Sequence, residues 1–166
     1  MNPVVRKMTA EDIPVVVQLD QMSFNLPWPE RSFRFELTDN PASRCWVAEV
    51  DGHVIGMVVG WLLVDEMHVA TIATHPDFRR HGIASHLLSH TLLQALDEGA
   101  RSSFLEVRES NLAAQEMYRK FGYEVTGRRR RYYRDNDEDA ILMSLGSLNK
   151  DFLSRNVGSA IGKEQE

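Results

Sequence analysis

With one cysteine in 166 residues, Cys45, the chain can close no intrachain disulfide. That cysteine sits in the apolar stretch Cys45-Trp46-Val47-Ala48, which predicts a buried thiol and not a nucleophile. No apolar run reaches the roughly 20 residues that a membrane-spanning helix requires. The longest, Val54 to Val64, contains two glycines and reads as a buried strand. The opening MNPVVRKMTAEDI mixes charge among its apolar residues and lacks a secretory stretch, so a cytoplasmic protein without membrane attachment is expected. Neither GxGxxG nor GxxxxGK[ST] occurs, which argues against a dinucleotide or nucleoside-triphosphate enzyme. His86 and His90 stand four apart, but Leu87 replaces the glutamate of HExxH and no third ligand is evident, so no metal is expected. Repeats and low-complexity tracts are absent, and a net charge of −5 does not mark a polyanion binder.

What is present is one domain's worth of chain with 43% apolar residues, enough for a well-covered core. A short strand is expected over Val4 to Met8, followed by Thr9 to Asp12, a capping-box pattern with Asp in place of Glu, and then a helix. A second short helix is predicted over Glu30 to Leu37. Two β-rich runs, Arg44 to Val50 and His53 to Val64, flank Asp51-Gly52, the signature of a tight hairpin. Glu66 to Thr74 reads as a third adjacent strand, closed by His75-Pro76. Apolar positions from Ile83 to Leu96 form a helical stripe that Gly99 can end. A strand over Ser103 to Arg108 follows, then a helix capped by Ser110 or Asn111 and stopped at Gly122. Two last strands bracket the polar turn Arg134 to Asp137. The expected fold class is α/β, a mixed and mostly antiparallel twisted sheet of six to seven strands with about four helices. The domain spans residues 1–146, with 147–166 a loosely attached C-terminal extension.

The segment His75-Pro76-Asp77-Phe78-Arg79-Arg80-His81-Gly82-Ile83-Ala84 joins a strand to a helix through a short basic loop. Such a junction offers unpaired backbone N–H groups and a positive helix end, which suit a pyrophosphate. The alternative is an ordinary turn with solvated arginines. On the next strand, alternation puts Leu105 and Val107 on one face and Glu106 on the other. No cationic neighbour is evident on that face, so partial desolvation is expected to raise the Glu106 pKa toward that of a useful base. A plain strand glutamate reaching solvent or an arginine is the alternative.

The run Arg79-Arg80-His81-Gly82-Ile83-Ala84 resembles the [Q/R]xxGx[G/A] signature of the GNAT acetyltransferases, with Arg79, Gly82 and Ala84 on its defining positions. Downstream, Leu105 to Arg108, Ser110-Asn111, Ala113-Ala114, Tyr118 and Phe121-Gly122 resemble the series found in the bacterial ribosomal-protein-alanine N-acetyltransferases. Upstream Asn25, Pro27, Trp28 and Phe33, and downstream Arg130 to Tyr133 with Glu138 to Ala140, are similar to further segments of that family. The match spans about residues 3 to 146. Arg131 departs from it, standing where the pattern usually has asparagine, and the C-terminal extension has no counterpart.

The resemblance implies acetyl-CoA as cofactor and direct transfer of its acetyl group to a primary amine. It makes Glu106 the general base and Tyr118 the acid near the departing sulfur; core packing is the other reading of Tyr118. Ile72, Ala73 and Thr74 would run alongside the pantetheine arm, Arg79, Arg80, His81, Gly82, Ile83, Ala84 and Ser85 would hold the pyrophosphate, and Asn111 would contact pantetheine, cap its helix, or do both. A splay between the strands Glu66 to Thr74 and Ser103 to Arg108 would admit the cofactor. Trp28, Tyr132 and Tyr133 are candidates for a substrate-side aromatic wall, although Trp28 can equally be a core anchor. The expected acceptor is a protein N-terminus, such as that of a ribosomal protein, with a small-molecule amine as first rival and a non-catalytic acyl-CoA sensor or RNA-binding adaptor as second. Direct nucleic-acid binding through Arg128 to Arg131 is not expected, since no stacking array beyond the neighbouring tyrosines accompanies the run, which reads as a substrate-side or solvated patch. A monomer or weak homodimer is anticipated.

Overall fold

A left-handed turn at Asp51 (φ 51°) and Gly52 (φ 81°) closes the central hairpin of the sheet, the geometry that matches the twist of two antiparallel strands. Around it the computed structural model describes residues 2–155, so residues 156–166 of the expected extension lie outside the described part. Seven strands, β1 (Val4–Lys7), β2 (Ser43–Val50), β3 (His53–Leu63), β4 (Glu66–Thr74), β5 (Ser102–Arg108), β6 (Glu124–Tyr133) and β7 (Glu138–Leu145), form one sheet. Their order is β1-β2-β3-β4-β5-β7-β6, and of the paired strands β4 and β5 alone run parallel. The helices are α1 (Ile13–Ser23), α2 (Glu30–Thr38), α3 (Ile83–Asp97) and α4 (Leu112–Lys120). The expected fold class, strand count and element order agree with this architecture.

Each face of the sheet carries a core. Leu87, Leu88, Leu92 and Ala95 of α3 pack on Trp46, Val58, Met67 and Leu105, together with Tyr118 of α4. On the opposite face Val16 and Leu19 of α1 and Phe33 of α2 pack on Val47, Met57, Val59 and Ala73. Fully burying an apolar side chain of this size contributes about 1.5–3 kcal/mol, so these two layers dominate the stability of the sheet. The segment after Gly146 adds to the first of them: Leu148 and Leu153 are buried there, and residues 150–155 are helical.

One irregularity positions the site. Val59 lies opposite Thr71 and Gly60 opposite Val69, so Ala70 has no partner on β3 and forms a bulge. An extra residue in a strand reverses the alternation of its side chains. Met67 and Val69 accordingly join the core beneath α3, whereas Ala73 joins the core beneath α1 and α2.

Candidate active site

The parallel ladder between β4 and β5 stops at Val69 and Leu105. Beyond it β4 continues to Thr74 supported by β3, and β5 continues to Arg108 supported by β7. The two strands therefore part, and the backbone of Ala70 to Thr74 on the side facing the gap has no partner strand. The Oγ1 of Thr74, at the outer end of this edge, is buried without a hydrogen-bond partner among the described residues. Unpaired polar groups of this kind call for a ligand, because burying them unsatisfied is costly.

β4 leads directly into the loop that begins α3. His75 Nδ1 accepts the N–H of Asp77 at 3.1 Å and fixes the one-turn 3-10 helix Pro76–Phe78. Arg80 (φ 66°) and Gly82 (φ 77°) are both left-handed, and Gly82 is the N-cap of α3. The first helical hydrogen bond runs from the His86 N–H to the Gly82 carbonyl at 2.9 Å. The N–H groups of Ile83, Ala84 and Ser85 precede it and remain available to an anion at the positive end of the helix. Arg79, Arg80 and His81 are exposed on the loop, while Ile83 is buried under it. Gly56 of β3 allows this turn to sit low: a Cβ there would lie 2.9 Å from Ile83 Cγ2 and 3.0 Å from Leu87 Cδ1.

At the mouth of the gap, Glu106 Oε2 lies 2.7 Å from His68 Nε2. The register brings them together: His68 of β4 is opposite Phe104 of β5 and stacks on its ring at 4.4 Å, and Glu106 is the next residue on the same face. The Trp61 ring meets His68 edge-on at 5.1 Å, and Arg129 Nη2 stands 3.9 Å from Glu106 Oε1. The expectation of an isolated carboxylate with a raised pKa is overturned. The His68 hydrogen bond outweighs burial and holds the carboxyl below its usual range, with Arg129 adding in the same direction. Glu106 is thus ionised at neutral pH and able to accept a proton. His68 and Trp61 were not among the expected site residues, and Arg129 was singled out only as part of a basic run, without a link to Glu106. They come from three other strands, and a single strand's alternation carries no signal for them.

The remaining candidates divide into two groups. Tyr118 is buried on α4, edge-on to Tyr123 at 5.6 Å, and burial pushes its phenol well above the usual range, so it holds its proton as a donor must. Asn111 Oδ1 accepts the Ala114 N–H at 3.2 Å, which establishes the capping role. Trp28 packs on Phe33 at 5.3 Å and stacks on Trp61 at 6.4 Å. With Arg31, Ser32, Phe35, Glu36 and Trp61 it lines a cavity of about 370 Å3. Trp61 Nε1 donates to Glu36 at 2.9 Å, which fixes the indole. On the other flank Tyr132 is exposed beside Tyr133, and the Arg129 guanidinium lies 5.5 Å from the Tyr132 ring. Arg108 covers the Tyr133 ring at 4.0 Å, and the phenol of Tyr133, half buried, is pushed up to about 12. Trp28 and Tyr132 do not touch. They end a chain of contacts that runs Trp28, Trp61, His68, Glu106, Arg129, Tyr132.

Cys45 takes no part in this. Burial pushes its thiol up to about 11, far from a thiolate at neutral pH. Among the described residues no group of three or more metal-ligating side chains could hold an ion, and no helix is long and apolar enough to cross a membrane.

Residues 13–123 match the acetyltransferase (GNAT) family. A protein of Bacillus subtilis (strain 168), named provisionally as an alanine N-acetyltransferase of ribosomal protein bS18, is 39% identical over 139 residues, covering 84% of this chain and 92% of that protein. The ribosomal protein bS18-alanine N-acetyltransferase of Escherichia coli (strain K12) is 30% identical over 152 residues, covering 85% of this chain and 95% of the relative. A crystal structure of the Escherichia coli ribosomal-protein-S18-alanine N-acetyltransferase superposes with a TM-score of 0.81 at 28% identity, covering 89% of this chain and 96% of the other.

Proposed function

Because the chain belongs to the acetyltransferase (GNAT) family and is an acetyl-CoA-dependent N-acetyltransferase, we propose that its acceptor is the α-amino group of a protein N-terminus, with an alanine-initiated ribosomal protein as the first candidate. The observation that carries the reading is the ionised Glu106 at the mouth of the β4–β5 gap, between an open strand edge and an aromatic cavity.

The residues fit acetyl-CoA. The open edge Ala70 to Thr74 offers backbone partners to the amide groups of pantetheine, and the buried Thr74 Oγ1 lacks one of its own. The N–H groups of Ile83, Ala84 and Ser85, with Arg79 and Arg80 beside them, suit a pyrophosphate, and Gly82 presents no Cβ to block its approach. Acetyl-CoA supplies an acyl carbonyl already activated as a thioester. Glu106 takes a proton from the incoming ammonium, directly or through a water, so that a neutral amine faces the carbonyl. Backbone N–H groups of β4 orient that carbonyl, and the protonated phenol of Tyr118 is the donor for the departing sulfur. Asn111 keeps its Nδ2 free while capping α4. Trp28 and Trp61 on one side, Tyr132 and Tyr133 on the other, wall the route to Glu106 and recognise the first residues of the acceptor in the cytoplasm.

The test is acetyl-CoA turnover, followed by thiol release, on peptides with varied first residues and on a panel of small amines. Preference for an alanine-initiated peptide is expected. Turnover confined to polyamines, amino acids or other small amines would overturn the acceptor while leaving the family activity intact.

A further inference from the structure

The mouth of the gap contains a second proton-binding group whose placement is as definite as that of Glu106. His68 is held on three sides: Phe104 lies flat against it at 4.4 Å with an interplanar angle of 4°, Trp61 meets it edge-on at 5.1 Å, and Glu106 Oε2 approaches Nε2 at 2.7 Å. Both side chains are largely screened from water, at 13% and 16% exposure. A surface histidine that met a carboxylate by chance would not be clamped between two rings. The clamp fixes the imidazole plane, and the Glu106 bond fixes which nitrogen faces the carboxylate, leaving Nδ1 as the other proton site.

Resting on the acetyltransferase reading above, we propose that the base of this enzyme is the His68–Glu106 pair, with His68 holding the proton that leaves the acceptor ammonium. In the resting pair the proton on Nε2 bridges to the Glu106 carboxylate, so the pair carries one negative charge and Nδ1 is an open acceptor. One proton passes from the ammonium to the pair, making the imidazole a cation that the adjacent carboxylate neutralises, as a carboxylate does for a histidine base in other acyl-transfer sites. The amine lone pair then forms the C–N bond as the C–S bond breaks. The second amine proton goes to the sulfur that leaves, so the products are an amide and a thiol and the pair returns its proton to solvent.

The charged groups around the pair are few. From β6, Arg129 lies 3.9 Å from Glu106 Oε1 and favours the ionised carboxylate. From α2, Glu36 Oε2 accepts hydrogen bonds from Trp61 Nε1 and Asn40 Nδ2, both at 2.9 Å. Tyr133, from the end of β6, is half buried with its phenol held protonated. None of these replaces Nδ1 as an acceptor.

The experiment compares wild type, His68→Gln and Glu106→Gln on a peptide the wild type acetylates. Glutamine can still hydrogen-bond to Glu106 but cannot carry the proton. Expected for His68→Gln is a fall of roughly a hundredfold in kcat at neutral pH, with the acetyl-CoA KM unchanged and the acid limb of the pH profile moved down toward the carboxylate range. A His68→Gln enzyme with wild-type kcat and an unmoved acid limb would overturn the proposal. A wild type inactive on every amine would instead overturn the functional reading. A second readout needs no turnover: in the protein without cofactor, the carboxyl carbon of Glu106, followed by NMR, should titrate at higher pH in His68→Leu than in wild type. Equal midpoints would also sink the pair.

Discussion

The Asp20 carboxylate of α1 accepts the backbone N–H of Trp28 at 2.6 Å, although Asp20 is only 1% exposed. This bond ties the connection between α1 and α2, which carries the first tryptophan of the proposed substrate-side wall, to the core. Burial pushes the Asp20 carboxyl from 3.8 up to about 6 despite the bond. The folded protein therefore binds this proton more tightly than the unfolded chain. Its contribution to stability is fully present below about pH 4 and is lost as pH rises through about 6. Glu138, lowered to about 2 by Ser110 and Arg108, and Asp12, lowered mainly by Arg6, act in the opposite sense and weaken the fold on acidification. The unfolding temperature should hold or rise from about pH 7 to 5 and fall below about 4. Asp20→Asn should flatten the upper part of that curve; an unchanged slope there would show that Asp20 does not titrate in this window.

Gly56→Ala should damage the proposed cofactor site from beneath the turn that begins α3. The new methyl would meet Ile83 Cγ2 at 2.9 Å and Leu87 Cδ1 at 3.0 Å, both in the first turns of α3, with the Ala73 carbonyl oxygen at 3.4 Å behind. Overpacking of this kind costs about 1–3 kcal/mol. Relief requires lifting the turn that carries the Ile83, Ala84 and Ser85 N–H groups. The acetyl-CoA KM should rise several-fold while the peptide KM stays near wild type. Gly60→Ala, which meets the flexible Met67 sulfur at 2.8 Å, should be milder. Equal acetyl-CoA KM values in wild type and Gly56→Ala would contradict this account.

Trp28→Ala removes one wall of the cavity but leaves Glu106, His68 and α3 in place. The peptide KM should rise about tenfold, a loss near 1.4 kcal/mol, with little change in acetyl-CoA KM. The contacts with Phe33 and Trp61 are lost too, so the unfolding temperature should drop. A drop in stability with peptide KM unchanged would make Trp28 a core anchor only.

Much of this fold was legible because its signals are local. Asp51-Gly52 predicts the left-handed hairpin that is found, and the His75-Pro76 stop, Gly82 and Gly99 bound the elements they were expected to bound. That Glu106 lies on the face opposite the buried Leu105 and Val107 followed from strand alternation. Its partners did not, because they depend on which strands become neighbours. His68 reaches Glu106 through the parallel register with β5 ahead of the Ala70 bulge, and Arg129 arrives because β7 inserts between β5 and β6. A desolvation argument built on one strand therefore gave the wrong sign for the Glu106 pKa. The gap came from family resemblance and not from periodicity, and its physical basis is the ladder ending at Val69 and Leu105. After Gly146 the apolar positions Leu148, Phe152 and Leu153 were too few for a periodic signal, yet Leu148 and Leu153 are buried.

The most direct test of the central claim is to incubate an alanine-initiated peptide containing an internal lysine with acetyl-CoA and locate the product acetyl group by fragmentation mass spectrometry, for wild type and Glu106→Gln. One acetyl group on the α-nitrogen with wild type, and a loss of roughly a hundredfold or more with Glu106→Gln, is the predicted result. Acetylation of the lysine side chain alone, or equal α-acetylation by both enzymes, would contradict an N-terminal acetyltransferase whose base includes Glu106.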